Sequence, residues 1–525
     1  MKPPSSGSTS SISGRPGEAL AVGGAPLTLE QVAEVALAGR PVALDPDPAF
    51  RARVEASRAF LADLLRDGAE VYGVNTGYGD SCTTAVPAPL LGELPLQLSR
   101  YHGCGLGACL GPEETLAVLL ARLNSLAQGY SAVRPELLEA LAGLINQRVL
   151  PRIPAEGSVG ASGDLTPLSY VAAVLQGERE ALHQGAARPA REALALAGLP
   201  VLTLAPKEAL ALMNGTAVMT GLACLAFRRA EQLARAACRI TAAAVVCLQG
   251  NRDHFHPRLS ELKRHAGQGQ AAAWIRADLD GASGPAGRIQ DRYSIRCAPH
   301  VIGVLLDALT WIRRDLENEL NSANDNPLFD PEARLVLHGG HFYGGHVAFA
   351  MDALKGAVAS LADLLDRQLA LLVDPRFSSG LPDNLSGAEP HRAAVNHGLK
   401  AVQIAASAWT AEALKLTMPA AAFSRSTECH NQDKVSMGTI AARDCLRVLE
   451  LSEQVGAALL LAVRQGLELR ARSDASAWER LSAPARAWAA QLGREIPLVR
   501  EDRPLDTELA ALAGDLRRGR WSERP

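Results

Sequence analysis

Aromatic residues are scarce in this chain: only 4% of its 525 positions, against 48% hydrophobic residues in all. A core of that composition is built from Ala, Leu and Val, which favours close-packed helices. Charge of one sign is missing too. The 53 Lys and Arg nearly balance 56 Asp and Glu, for a net of −3, so nothing marks a nucleic-acid surface. The nine cysteines, at 82, 104, 109, 224, 238, 247, 297, 429 and 445, form no CxxC pair. That pattern argues against a zinc ribbon or a disulfide framework and predicts reduced thiols in a cytoplasm. No unbroken apolar run of about 18 residues exists, so no membrane span is expected. Residues 1–24 are rich in Ser, Gly and Pro, lack an apolar signal-peptide core, and are expected to be a disordered tail.

Alternating strands are few, and Arg334-Leu-Val-Leu-His338 is one short candidate. Helical patterns are abundant. Pro135 opens a segment with Leu137, Leu138, Leu141, Leu144 and Ile145 on one face. Ile302, Leu305, Leu309, Ile312, Leu316 and Leu320 keep to one stripe between Pro299 and Leu320. Similar patterns run from about His346 to Val373, Asn396 to Met418 and Val435 to Leu469. Helices of roughly 20–30 residues span about 30–45 Å, so several of them predict an elongated bundle. The expected organisation is mainly α: a tail at 1–24, a loop-rich N-terminal domain at 25–210, a long-helix bundle at 211–475, and short helices at 476–525.

Several segments carry unusual residue combinations, and they occur in a fixed order. Tyr72-Gly-Val-Asn-Thr-Gly-Tyr-Gly79 is followed by Gly157-Ser-Val-Gly-Ala-Ser-Gly-Asp-Leu165 and Met213-Asn-Gly-Thr216. Gln290-Asp-Arg-Tyr-Ser-Ile-Arg296, Asn321-Ser-Ala-Asn-Asp-Asn-Pro327, His338-Gly-Gly-His-Phe342 and Glu428-Cys-His-Asn-Gln432 come after them. The triplet Ala161-Ser162-Gly163 is weak by itself, since Ala282-Ser283-Gly284 repeats it in a Gly-rich loop. The ordered set, from about residue 28 to 515, is specific. It resembles the methylidene-imidazolone aromatic amino acid ammonia-lyases and aminomutases, a family of fumarase/aspartase-like architecture.

The resemblance implies a self-made electrophile and no external cofactor. Closure of the Gly163 nitrogen onto the Ala161 carbonyl, with loss of water there and from Ser162, gives the methylidene-imidazolone group. Glycine suits the attacking position because it lacks a Cβ. By the same resemblance Tyr72 removes the substrate β-proton, which needs a lowered phenol pKa, and Tyr293 is a second catalytic tyrosine. Asn214 and Arg296 hold the substrate carboxylate, Arg through its planar fork. Gln290, Phe342 and Glu428 line the site. The implied assembly is a homotetramer with shared active sites, in which Tyr72 and Tyr293 reach Ser162 from neighbouring subunits.

Two places bear on the substrate. Tyr101 and His102 align with the pair that contacts the substrate ring, and a histidine there can hydrogen-bond a phenol or an imidazole. Gln432 stands where histidine enzymes of the family carry glutamate. The expected order is tyrosine or another ring-hydroxylated arylalanine, then phenylalanine, then histidine. Lyase and 2,3-aminomutase share these motifs.

Rival readings are weaker. His338, His341, His346 and Asp325, or Asp253-His254-Phe-His256, offer metal ligands, but at no recognised spacing, so no metal is expected. Gly103-Cys-Gly105-Leu-Gly107 lacks the full dinucleotide fingerprint. Ser162 lacks the GxSxG setting of a hydrolase nucleophile. A helical binding scaffold predicts no electrophile at all.

Overall fold

A computed structural model describes residues 18–280 and 289–522. Its centre is a bundle of long helices: Ala217–Cys247, Ala298–Leu320, Gly345–Val373, Lys400–Lys415 and Gly438–Ser473. In Ala298–Leu320 the stripe Ile302, Leu305, Leu309, Ile312, Leu316 and Leu320 is buried against its neighbours, as its spacing requires. Tyr293–Leu320 has the length and mean hydropathy of a membrane-crossing segment, which a search for unbroken runs misses, yet that stripe is spent on the bundle.

Ala217–Cys247 shows no such stripe. It is buried nearly all round by Ala, Val and Cys and touches the bundle helices Ala298–Leu320, Gly345–Val373 and Gly438–Ser473 and, from the N-terminal region, Pro112–Leu126. A helix apolar on every side is a core helix. One hydrophobic cluster runs from Leu20 to Trp521, continuous across the expected boundary at residue 210.

Ala298–Leu320 runs antiparallel to Ala217–Cys247 and Gly345–Val373, and two long-range contacts fix its ends. Gln368 donates to the Ser294 carbonyl at 2.9 Å and bonds Thr241. At the other end, Asn124 donates to the Leu320 carbonyl at 2.9 Å. The bundle therefore has a head, where Gly345–Val373, Ala217–Cys247 and Gly438–Ser473 begin, and a distal end about 35 Å away, the rise of Ala298–Leu320.

Strands are short. The expected strand appears as Leu335–Leu337, antiparallel to Leu328–Asp330. The tail expectation needs a correction: Leu20–Val22 pairs in parallel with Val42–Leu44, and Leu20 and Val22 enter the core. Two buried aliphatic side chains and a paired edge give that segment a place. Residues 1–17 and Ala282-Ser283-Gly284 lie outside the described residues.

Candidate active site at the head of the bundle

The loop around Ser162 is held by the starts of helices. Gly160 O accepts from both the backbone N–H and the hydroxyl of Ser436 at 3.1 Å, and Val159 O accepts from Met437 N at 3.0 Å. These residues lead directly into Gly438–Ser473. Asp164, 1% exposed, accepts from Val218 N at 2.6 Å and from Thr439 Oγ1 at 2.5 Å. A carboxylate at the first turn of Ala217–Cys247 complements the helix dipole and its unpaired N–H groups. Burial nevertheless outweighs these bonds and pushes the Asp164 carboxyl up to about 7.

Ala161 and Gly163 face each other across Ser162 as an isolated antiparallel bridge, and Gly163 also bridges Gly215. The tripeptide is thus already folded back on itself, which is the geometry that ring closure within it requires. Gly163 sits at φ 69°, and a Cβ there would collide with the Gly215 backbone. Only glycine meets both conditions. Ala161 and Gly163 are buried, while Ser162 keeps a half-buried, reachable side chain.

Arg122 lies beneath this loop, fully buried on Pro112–Leu126, and donates to Asn324 O at 2.9 Å. Its Nε and Nη2 have no protein partner. Burial pulls its pKa down to about 10, opposed by the charges of Asp325 and Asp164. Asp325 in turn is paired at 2.5 Å with Lys207, both fully buried. A charged residue inside the apolar run Leu116–Leu126 was the available sequence signal for Arg122. Sequence reasoning gave roles to none of Asp164, Arg122 or Lys207.

The wall above Ser162 comes from two loops. Thr427 and Gln432 close a small hairpin, and Gln432 Nε2 reaches Ser162 Oγ at 3.4 Å. The Glu428 carboxylate in this hairpin accepts from Asp80 N at 3.0 Å, so it meets the loop of Tyr72. Tyr72 is half-buried; its hydroxyl accepts from Gly79 N at 2.8 Å, and its ring meets His338 edge-on at 6.4 Å.

Two expectations for Tyr72 change here. The chain's own Glu428 hairpin links Tyr72 to Ser162, so Tyr72 belongs to the same protomer as Ser162 rather than a neighbour. Its phenol is shifted upward, by burial first and then by the Glu428 charge, with only the Gly79 N–H acting the other way. Among the described residues of the protomer no cation acts to lower it.

Tyr101 and His102 end the helix Leu94–Tyr101, their rings 4.3 Å apart. His102 Nδ1 lies 3.1 Å from Leu98 O. A carbonyl can only accept, so Nδ1 carries the proton and neutral His102 offers Nε2 as an acceptor. Burial lowers the His102 pKa, and the nearby Arg179 charge lowers it further. Asn214 is buried at the end of Glu208–Met213; its Nδ2 donates to Asn326 O at 3.3 Å, and its Oδ1 has no protein partner. Phe342 is half-buried in the turn before Gly345–Val373, at the same head of the bundle.

Gln290, Tyr293 and Arg296 are not brought here. They lie beyond the start of Ala298–Leu320, at the distal end of the bundle. Tyr293 is 72% exposed, with the Arg296 guanidinium 4.5 Å from its ring centroid and Arg296 Nε donating to Asp291 O at 3.0 Å. The metal alternatives find no support: no group of three or more His, Cys, Asp or Glu could hold an ion among the described residues. The glycines at 103–107 lead into the strand Leu106–Cys109, antiparallel to Pro154–Glu156, and not into a βαβ unit. No disulfide joins any of the nine cysteines, all of which lie among the described residues.

A reactive-loop candidate set at the common start of several long helices is the architecture of the fumarase/aspartase-like lyases, and solved structures of that kind superpose on 96% of the chain. Residues 27–492 match the aromatic amino acid lyase family, to which this chain belongs as a carbon–nitrogen lyase. It is 39% identical to a histidine ammonia-lyase of Sorangium cellulosum, over 93% of this chain and 96% of that one. It is 38% identical to a tyrosine ammonia-lyase of Cereibacter sphaeroides, again over 93% and 96%. The solved tyrosine aminomutase of Streptomyces globisporus shares 34% identity and a TM-score of 0.89, covering 96% of this chain and 98% of that one.

Proposed function

We propose that this lyase eliminates ammonia from an aromatic L-amino acid, with tyrosine or another ring-hydroxylated arylalanine before phenylalanine and phenylalanine before histidine, to give an aryl acrylate. The observation that carries the ring preference is the His102–Leu98 bond, which leaves Nε2 free to accept from a phenol. Gln432 supports a carbocyclic ring, because a neutral amide offers no charge to an imidazolium.

The family's methylidene-imidazolone group fits Ala161-Ser162-Gly163, given the bridge between Ala161 and Gly163 and the absent Cβ at Gly163. That group supplies an electron sink for the departing amine. The chain's own residues do the rest. Tyr72 takes the β-proton at its phenol oxygen. Asn214, with Oδ1 unpaired, and Arg296 orient the substrate amino-acid end. Glu428, Phe342 and Tyr101 line the substrate pocket, and orientation of this kind supplies much of the rate.

Arg296 and Tyr293 cannot serve the Ser162 of their own chain across about 35 Å of helix. The reading therefore includes a homotetramer in which the Gln290–Arg296 segment of one copy completes the site of another, bringing a cation towards Tyr72. Mixing inactive Ser162→Ala with inactive Arg296→Ala subunits should restore part of the activity. No recovery, or a fully active monomer in sedimentation, would remove shared sites.

A second reading is a 2,3-aminomutase, favoured by the similarity to the tyrosine aminomutase structure. One panel of tyrosine, phenylalanine and histidine, with aryl acrylate, β-amino acid and urocanate quantified, separates these outcomes. Dominant urocanate would overturn the proposed preference.

A further inference from the structure

Behind His102 stands an arginine that the reaction does not use. Arg179 sits at φ 63°, just before the strand Glu180–His183. Its Nη2 donates to Ser99 O at 2.5 Å, and its Nη1 donates to Ser169 Oγ at 3.1 Å. The guanidinium lies 4.1 Å from the Tyr170 ring centroid. Ser169 Oγ in turn lies 2.7 Å from Thr166 O and 3.3 Å from His102 O. A Cβ on Gly103 would fall on the Arg179 guanidinium, so the bare glycine lets the cation lie against the chain directly after His102.

These contacts join two elements. Ser99 and His102 belong to the end of Leu94–Tyr101, where a cation also favours the helix dipole. Ser169 and Tyr170 belong to Thr166–Leu175, the helix that continues from the Ser162 loop. Arg179 thus fixes the ring-contacting wall to the reactive loop. None of these direct partners is a carboxylate. Glu178 is engaged by Arg100 at 2.5 Å and Glu208 by Arg134 at 2.7 Å. Glu93 lies before the first turn of Leu94–Tyr101, two turns from His102. The remaining titratable neighbours are Tyr101, Tyr170 and Cys104.

We propose that Arg179 is a positioning residue for ring selection: through Ser99, Ser169 and the space at Gly103 it fixes the His102 imidazole as a hydrogen-bond acceptor toward the substrate ring. Arg179 acts this way only if His102 faces that ring, as proposed above. The direction of its electrostatic effect agrees, since a cation beside His102 keeps the imidazole neutral until lower pH.

The test compares kcat/KM for tyrosine and histidine, whose rings donate, with phenylalanine, whose ring does not. Each variant is first checked by intact mass for completed maturation. Arg179→Gln should lower the donor-to-phenylalanine ratio on the order of tenfold, mainly through KM for the donor substrate. Without the cation, His102 should protonate at higher pH, so the donor preference should be lost at higher pH than in the wild type. Arg179→Lys, which keeps the charge but not the fork, should fall between. In the His102→Leu background Arg179→Gln should change the ratio no further. Equal losses on all substrates, or an effect that persists undiminished in the His102→Leu background, would overturn the inference. If His102→Leu alone leaves the ratio unchanged, the ring-contact reading itself fails and this inference falls with it. Should Arg179→Gln not fold, Ser169→Ala removes one link to Arg179 and must lower the same ratio.

Discussion

Gln432 Nε2 lies 3.4 Å from Ser162 Oγ, although 270 residues separate them in the chain. The residue proposed to read the ring type therefore touches the residue expected to become the electrophile. Recognition and chemistry share one contact, so changes at Gln432 are expected to move both.

Maturation is the first thing to measure. Intact mass should find the wild-type chain lighter by the water of ring closure and the water lost from Ser162. Ser162→Ala, which has no hydroxyl to lose as water, should show its full sequence mass and lose turnover. Gly163→Ala should show the full sequence mass, because a Cβ meets the Gly215 backbone and φ of 69° strains any L side chain. Ser283→Ala should change nothing. A wild-type mass equal to that of the sequence would remove the electrophile.

Ring selection is expected to reside in His102. His102→Leu should weaken tyrosine relative to phenylalanine by about 1–3 kcal/mol in kcat/KM, because a buried hydroxyl loses its acceptor. Steady-state kinetics on both substrates decide it. A constant ratio would make His102 plain wall. Gln432→Glu alone should not create a good histidine enzyme, since Tyr101 still narrows the pocket.

Tyr72→Phe should keep the mass loss and stop turnover of every substrate alike. The Gly79 N–H would lose its acceptor, a cost of about 1 kcal/mol in stability. A calorimetric scan alongside the assay separates the two effects: a large drop in Tm with activity retained would assign Tyr72 to structure alone.

Asp164 gives a pH signature. With its folded pKa raised to about 7 from 3.8, the folded chain binds more protons than the unfolded chain between those values. Stability contributed by this site therefore falls as pH rises through that window and is flat above it. Against Asp164→Asn, the wild type should lose up to about 4 kcal/mol between pH 4 and 7. Denaturant midpoints across that range check it, and a rising difference would reverse the assignment.

Much of this was legible in the sequence, for physical reasons that also explain the gaps. Ala298–Leu320 and Gly345–Val373 show one apolar stripe because each has an outward face. Ala217–Cys247 escaped notice because it has almost no outward face, and periodicity vanishes when every side is buried. Leu20–Val22 was too short to alternate visibly. The motifs named the residues at the head of the bundle, but not the ions beneath them: buried charges such as Arg122 and the Lys207–Asp325 pair look in sequence like surface residues. Nor could linear order show that Arg296 stands a whole helix away from Ser162.

Because Ser162 is pinned by helix starts while Tyr72 and Gln432 are carried on loops, the two sides of the site differ in what they can do over time. The bonded side is tied to elements that open only when the bundle itself loosens, and its amides should exchange with solvent slowly. The covering side rests on local turns and a few hydrogen bonds, so the 72–83 and 424–434 segments are expected to open before the bundle does. Turnover can then be limited by the opening of that cover rather than by the electrophile beneath it.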